Sequence, residues 1–175
     1  MKRCDLTITL TEYESAEELN ETDKRLYEAA GEAAGSAYAP YSRFYVGAAV
    51  LLENDLVVTG NNQENIAYPS GLCAERIAIF TAASNYPDVP VKAIAIAAHP
   101  QNPGSATALT PCGACRQVLA EYEMRHRHPI RVIMMAEKGK ILVSDNIGNL
   151  LPYSFNAGEL KKTMADTTPK PGNTE

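Results

Sequence analysis

Apolar residues recur along the first third of the chain with the spacing of a helix. From Leu26, they return at i, i+4, i+7 and i+11, which predicts an amphipathic helix over residues 23–38. Asn20 or Thr22 is a suitable N-cap for this helix. Pro40 cannot continue a helical hydrogen-bond ladder, so the helix is expected to end just before it.

Shorter apolar runs predict the strands of a sheet. Two runs joined by a three-residue polar turn indicate a β-hairpin. Two later runs are continuously apolar, which is typical of strands that are covered on both faces. The predicted strands are residues 6–10, 45–52, 55–60, 91–98, 130–136 and 141–144.

Two further helices are predicted between these strands, over residues 73–84 and 112–125. The first is apolar or small on nearly every side after Arg76, which predicts a helix buried all round. The second lies between strands 91–98 and 130–136 and makes a βαβ crossover, normally right-handed. We therefore predict an α/β fold of three α/β/α layers with a mixed, mostly five-stranded sheet.

Length and charge limit the kinds of protein that this chain can be. With 175 residues it fits one domain of ordinary size. We expect an N-terminal extension (1–22), a folded catalytic domain (23–163) and a polar, disordered tail (164–175). The net charge of −5 argues against a nucleic-acid partner, because neutralising phosphates requires many basic side chains.

The cellular location is predicted from the apolar stretches of the sequence, because a membrane span or a signal peptide would be such a stretch. No run is long enough to span a membrane, and the N-terminal apolar stretch is too short and too broken for a signal peptide. A cytoplasmic protein without membrane contact is therefore expected. In that compartment the four cysteines are unsuited to structural disulfides and favour metal binding, catalysis or burial.

Three of these cysteines stand at predicted helix starts. Cys112 and Cys115 form the CxxC of PCGACRQ, where Pro111 marks the first turn. Cys73 takes the corresponding place in GLCAERIAIF. If both helices follow adjacent parallel strands, their N-termini meet at one sheet edge and the three thiolates can share one ion. Three ligands without a fourth are typical of a catalytic zinc that keeps a position for water.

Two charged residues, Glu75 and Arg76, follow Cys73 after one alanine. The carboxylate of Glu75 is placed to take a proton from water and return it to a substrate. The guanidinium of Arg76 can offset the negative charge that three thiolates bring to zinc. By itself CxxC also fits a redox pair or half of a structural zinc site, and Cys4 is the candidate fourth ligand of that structural alternative. Cys-x-Glu combined with Pro-Cys-x-x-Cys, however, matches the signature of the zinc deaminases.

At this point the sequence resembles a known family, the small homotetrameric cytidine deaminases of pyrimidine salvage. Four blocks carry the resemblance: AYAPYSRFYVGAAVL, GNNQENIAYPSGLCAERIAIF, PCGACRQVLAEY and NLLPYSF. It implies zinc-dependent hydrolytic deamination of cytidine and 2′-deoxycytidine to uridine and 2′-deoxyuridine, with release of ammonia. It also implies one Zn²⁺ per subunit held by Cys73, Cys112 and Cys115, and proton transfer by Glu75.

The resemblance also implies a set of substrate contacts. Asn62 and Glu64 fall where the family binds the ribose 3′-hydroxyl, and Tyr68 falls near the sugar 5′ end. Without the family match, this polar stretch would be interpreted as a turn after a strand.

The contacts to the base come from two subunits in the resembling family. Phe44 matches an aromatic residue that lines the nucleoside pocket, and the backbone at Ala74 helps to recognise the pyrimidine edge. Phe155 matches a ring that a neighbouring subunit contributes, which is why a homotetramer is expected.

Two other substrates remain open within the deaminases. One is a nucleoside antibiotic of the blasticidin type, and the other is a base within a polynucleotide. Asn62 and Glu64 favour a free ribose, and the acidic balance disfavours a polynucleotide. A non-enzymatic zinc module is the alternative from a different class.

Overall fold

The computed structural model describes residues 1–99, 108–136 and 139–156. Within these residues the main elements are three helices and six strands. The helices are α1 (Glu21–Ala34), α2 (Ala74–Asn85) and α3 (Gly113–His126). The strands are β1 (Thr11–Tyr13), β2 (Val46–Leu52), β3 (Val57–Asn61), β4 (Val91–Ala98), β5 (Arg131–Met135) and β6 (Ile141–Ser144).

One mixed sheet contains all six strands, in the order β1-β6-β5-β4-β2-β3. Strands β2 and β3 form the predicted hairpin, and β4 pairs in parallel with β5 across α3, as the βαβ pattern predicts. The remaining pairs are antiparallel. The mixed α/β fold class is confirmed, with six strands where mostly five were expected.

Two apolar layers cover the sheet. On one face, α1 packs through Leu26 and Ala30 against Ala49 and Ala95 of the central strands. On the other face, α2 and α3 pack against the alternate residues of the same strands. Strand β4 lies in the middle and is buried on both faces, because each of its two sides carries a helix layer. The three-layer arrangement therefore follows the prediction.

Two predicted elements differ from the structure. Residues 6–10 form no strand; instead Thr11–Tyr13 pairs with β6, so the position of the N-terminal strand was wrong. The first helix was expected to continue to residue 38, but it ends at Ala34. Gly35 follows, and its backbone N–H donates to Glu32 O at 3.1 Å, which closes the last turn before Pro40 is reached.

The helix predicted to be buried all round is buried on one side only within a single chain. Ala74, Ala78, Ile79 and Ala82 of α2 face the sheet and are fully buried. Phe80 on the other side is 41 % exposed, because none of the described elements covers that side. Among the described residues, no helix is both long and apolar enough to cross a membrane.

The backbone of α2 approaches β3 closely at Gly60. A methyl group added at this glycine would lie 2.5 Å from Ala78 N and 2.9 Å from Ala74 O, both in the backbone of α2. Helix backbone cannot move aside as a flexible side chain can. The absence of a side chain at Gly60 therefore sets the distance between β3 and the first turns of α2.

We predict that Gly60→Ala displaces the start of α2 and lowers the free energy of unfolding by about 1–3 kcal/mol. Zinc affinity is expected to fall with it, since Cys73 precedes α2. Gly31→Ala is the control, because a methyl group there meets nothing within 4 Å and alanine favours a helix interior. Thermal unfolding and bound zinc are the measurements. An unchanged melting temperature and zinc content in Gly60→Ala would contradict the prediction.

Candidate active site

Three thiols meet at the carboxyl edge of the sheet. The Sγ atoms of Cys73 and Cys112 are 3.9 Å apart, those of Cys112 and Cys115 are 3.4 Å apart, and all three lie within 4.8 Å of one another. All three cysteines are free thiols. Among the residues that the structure describes, this is the single group of cysteine, histidine and acidic side chains close enough to hold a metal ion.

The helix starts bring these thiols together, although the two strands before them are not neighbours. Cys73 is the N-cap of α2 and Cys112 the N-cap of α3, while Cys115 lies in the first turn of α3. We expected α2 and α3 to follow adjacent strands, and this was wrong, because β2 lies between β3 and β4. Since β2 is antiparallel to both, β3 and β4 still run in the same direction and end at the same edge.

The spacing of the thiols suits a tetrahedral metal ion. Thiolates at a Zn–S distance of about 2.3 Å in tetrahedral geometry stand ~3.8 Å from one another. The Sγ–Sγ distances of 3.9 Å (Cys73–Cys112) and 3.4 Å (Cys112–Cys115) bracket that value. An all-sulfur donor set favours zinc among the common divalent ions. The residues present therefore fit a zinc ion with three protein ligands.

The protonation of the cluster is uneven without a metal. The hydrogen bond from Cys115 and the guanidinium of Arg76, opposed by burial, lower the pKa of Cys73 to about 5. The same thiol–thiol hydrogen bond, together with burial, raises the pKa of Cys115 above its usual range. At neutral pH Cys73 is therefore the thiolate, and Cys115 keeps its proton. Metal binding must displace that proton, because the thiolate is the ligand form.

Glu75 and Arg76 differ in environment although they are neighbours on α2. Glu75 is only 5 % exposed, and burial raises the pKa of its carboxyl, with the Cys73 thiolate adding to the effect. Arg76 is half-buried and its Nη2 donates to Cys73 Sγ at 3.9 Å. A carboxyl can both accept and donate a proton, whereas a guanidinium stays protonated and cannot.

We predict that Arg76→Ala keeps the fold but lowers zinc affinity or turnover by about 10- to 100-fold, the usual effect of losing a partner of a metal ligand. Arg125→Ala is the matched control. It removes the same charge from α3, where the Arg125 guanidinium donates to Pro87 O instead. Metal titration and kcat are the readouts. Values equal to those of the unaltered protein would exclude Arg76 from the site.

A cleft of about 430 Å³ opens beside the thiols, within the range of small-ligand pockets. Cys73 lies at its wall together with Asn62, Glu64 and Tyr68. Sequence reasoning did not identify the other lining residues, namely Tyr41, Ser42, Gln63, Asn65, Gly71 and Leu72. The polar run GNNQEN was the signal for Gln63 and Asn65, and APYS was the signal for Tyr41 and Ser42.

Asn62 and Glu64 also hold the loop that borders the cleft. Asn62 accepts from Val46 N at 2.8 Å and donates to Phe44 O at 2.9 Å. Glu64 Oε2 accepts from the backbone N–H groups of Tyr41 and Ser42 at 2.9 and 3.2 Å. The Ser42 hydroxyl and these N–H groups hold the pKa of Glu64 below its ordinary value. Glu64 is therefore a carboxylate at neutral pH.

The four other predicted contact residues lie in different environments within the structure. Tyr68 lies in the cleft against Tyr41, with ring centroids 6.0 Å apart. Phe44 is half-buried and follows Arg43, whose φ of 55° turns the chain sharply at this point. Ala74 is buried in the first turn of α2. Phe155 is 71 % exposed and lines no part of the cleft of its own chain.

Fold and site together define a zinc-dependent hydrolytic deaminase. A family model described as "Cytidine and deoxycytidylate deaminase zinc-binding region" matches residues 20–128, more than half of the chain. The chain belongs to this family, and the thiol cluster is its zinc site.

Several similar proteins are named cytidine deaminase. A cytidine deaminase of Mycobacterium tuberculosis is 38% identical over 136 residues, covering 76% of this chain and 89% of that protein. One of Sporosarcina psychrophila is 40% identical over 124 residues, covering 71% and 84%. The crystal structure of cytidine deaminase from Burkholderia pseudomallei aligns with a TM-score of 0.65 at 38% identity, over 75% of this chain and 97% of that one.

Proposed function

We propose that this protein deaminates cytidine and 2′-deoxycytidine to uridine and 2′-deoxyuridine in pyrimidine salvage, by hydrolysis that releases ammonia. The observation that carries the proposal is a buried carboxyl, Glu75, two residues after a zinc-ligating thiol that lines a nucleoside-sized cleft. A structural zinc site has no use for such a carboxyl. The names of the similar proteins support the same substrate.

Glu75 supplies the proton transfers of the proposed reaction. When bound, one zinc ion per subunit acts as a Lewis acid that makes water acidic enough to attack near neutral pH. Glu75 takes the proton released by that water and gives it to N3 of the cytosine ring. The water oxygen adds to C4, and a second transfer through the same carboxyl moves the proton of the new C4 hydroxyl to the amino group, so that the C4–N bond breaks, ammonia leaves and the C4 carbonyl forms. The raised pKa of Glu75 suits a group that must both accept and donate a proton.

The cleft supports a free nucleoside as the substrate. Glu64 and Asn62 offer an acceptor and an amide to a ribose hydroxyl, and Tyr68 lies against the sugar's 5′ side in this proposal. In the proposed complex Phe44 and the backbone of Ala74 contact the base, although neither lines the cleft of the single chain. Among the described residues that line the cleft there is no lysine or arginine, and Glu64 brings negative charge. A phosphate group on the sugar is therefore disfavoured.

A homotetramer is proposed from the resemblance to the homotetrameric family, and two exposed phenylalanines of the single chain support an assembly. Phe80 on α2 is 41 % exposed, and Phe155 near the end of the described chain is 71 % exposed. Exposed large apolar side chains often mark interfaces. In the proposed assembly Phe155 reaches the base in a neighbouring subunit's site. The free thiols suit a reducing compartment, which supports a cytoplasmic location.

The test is ammonia release from cytidine by the purified, zinc-loaded protein, with 2′-deoxycytidine, CMP, cytosine and blasticidin S assayed in parallel. Turnover of both nucleosides but not of CMP is the expected result. It would support Asn62 and Glu64 as sugar-binding residues and the absence of a phosphate site. Zinc-loaded protein that leaves cytidine unchanged would overturn the substrate, and turnover of blasticidin S would assign the antibiotic instead.

A further inference from the structure

Two side chains of α3 fasten the segment that follows β6. Arg116 comes directly after the zinc ligand Cys115 in the chain, and its Nη1 donates to Leu150 O at 3.1 Å. Its Nε donates to Pro111 O at 2.7 Å, next to the other ligand of this helix, Cys112. One guanidinium therefore joins the start of the metal-binding helix to the beginning of the segment 150–156.

The next residue, Gln117, holds the far end of that segment. Gln117 Nε2 donates to Phe155 O at 2.7 Å, and Phe155 N donates to Gln117 Oε1 at 3.0 Å. The orientation of the amide follows from chemistry, because a backbone N–H can only donate and a carbonyl can only accept. One side chain thus satisfies both backbone groups of one residue, as a neighbouring β-strand would.

The ring of Phe155 is left free by this arrangement. It is 71 % exposed, although the backbone that carries it is held at both polar groups and Leu151 of the same segment packs on the core. Solvent exposure of a large apolar ring is unfavourable unless something else covers it. A fixed backbone under an uncovered ring is a preorganised contact, for which little conformational entropy remains to be lost on binding.

We propose that Gln117 is a positioning residue for the substrate base. By clamping Phe155, it presents the ring to the nucleoside bound in a second copy of the chain. This inference rests on the proposed function, in which Phe155 contacts the base. It adds that each metal-binding helix also fixes, through Gln117, the ring that serves a neighbouring site.

We call the two hydrogen bonds between Gln117 and Phe155 the clamp. Its loss should weaken substrate binding and leave the chemical step unchanged. Gln117 has no contact with the thiols or Glu75 among the described interactions, so the proton transfers remain. Aromatic contacts contribute ~0.5–1.5 kcal/mol beyond buried area, so an unfixed Phe155 should raise the KM for cytidine about 3- to 10-fold. The turnover number and the zinc content should stay unchanged.

Gln117→Met is the test variant, because methionine keeps the length and helix propensity of glutamine but removes both hydrogen bonds. Glu121→Met is the control: it makes the same change of side chain on an exposed position one turn further along α3. Phe155→Ala and the double variant Gln117→Met/Phe155→Ala complete a cycle. If Gln117 acts through Phe155, the double variant has the KM of Phe155→Ala alone.

Three outcomes of this cycle would overturn the proposal. One is a KM in Gln117→Met equal to that of Glu121→Met. Another is an additive KM in the double variant, which would place the effect of Gln117 elsewhere. The third is a parallel loss of zinc and melting temperature, which would make Gln117 a merely structural residue.

A reporter that needs no activity separates this inference from the proposed function. The sequence contains no tryptophan, so Phe155→Trp introduces a single tryptophan at the presented ring, which can be excited selectively over the nine tyrosines. In the Gln117→Met background we expect lower fluorescence anisotropy and a changed acrylamide quenching constant. Unchanged values would overturn the clamp. If cytidine is not turned over but the reporter responds, the clamp stands and the substrate assignment fails.

Discussion

Replacing Glu75 with glutamine is expected to abolish measurable deamination while leaving zinc bound. Glutamine has the same shape, but its amide can neither accept a proton from water nor return one to the base. Removing a general acid–base group lowers turnover by roughly 10²- to 10⁴-fold, and here one carboxyl is proposed to serve several transfers. The three thiols are unchanged, so the metal site should fill as before.

The stability of the Glu75→Gln variant gives an independent check on the environment of this carboxyl. Burial raises the pKa of Glu75, so the ionised form is disfavoured in the folded metal-free protein. The protonated carboxyl contributes stability that is fully present below the pKa of Glu75 in the unfolded chain. This stability is lost as pH rises through the pKa of Glu75 in the folded protein. At pH 7 a neutral amide should therefore leave the metal-free melting temperature equal or higher.

Glu121→Gln is the matched control for this replacement, because it makes the same change on the surface of α3. It should retain full turnover. Deamination by Glu75→Gln at a rate near that of the control would refute the proton-transfer role. Loss of zinc from Glu75→Gln would instead show that the carboxyl is needed to hold the metal.

Replacing Cys112 with serine is expected to remove both zinc and activity. Its Sγ lies 3.9 Å from that of Cys73 and 3.4 Å from that of Cys115, so it contacts both other members of the cluster. A serine hydroxyl does not deprotonate near neutral pH and is a poor zinc ligand. A ligand present at ~1,000 times its Kd stabilises the folded state by about 4 kcal/mol, so the melting temperature should fall clearly.

Cys4→Ser is the control for the loss of a thiol. Cys4 is exposed, like Cys112, but lies outside the metal-binding group. Atomic absorption should find unchanged zinc in Cys4→Ser and none in Cys112→Ser. Zinc loss from Cys4→Ser would instead favour a structural site closed by a fourth cysteine.

Periodicity predicted those elements that the core determines. The apolar run of β4 was predicted at the observed bounds, because a strand covered on both faces is apolar at nearly every position; Lys92 at its start is the exception. The strand at 6–10 was wrong because a three-residue edge strand is selected by tertiary pairing. Lys140 Nζ binds Glu12 and Glu14 at 2.8 and 2.9 Å, a contact that local sequence does not encode.

In the site, too, local sequence predicted the metal ligands but not the contacts between distant residues. The motif spacing predicted that the three cysteines share one ion, since each stands at a helix start whose position the sequence marks. The clamp on Phe155 was not predicted, because Gln117 and its partner are 38 residues apart and neither pattern implies the other. The hydrogen bonds of Asn62 to Phe44 and Val46 were not predicted for the same reason. To predict such pairings one must know the register of the strands, and composition does not give it.

Strand β1 has a consequence for how copies of this chain meet in solution. Without it, β6 would end the sheet with a row of unpaired N–H and C=O groups, a template on which another chain can polymerise. The added strand is only three residues long, and Lys140 pairs with Glu12 inside it and with Glu14 directly after it. Short, charged borders of this kind resist edge-to-edge stacking. The N-terminal segment thus contributes to colloidal stability, and removing it would expose an aggregation-prone margin.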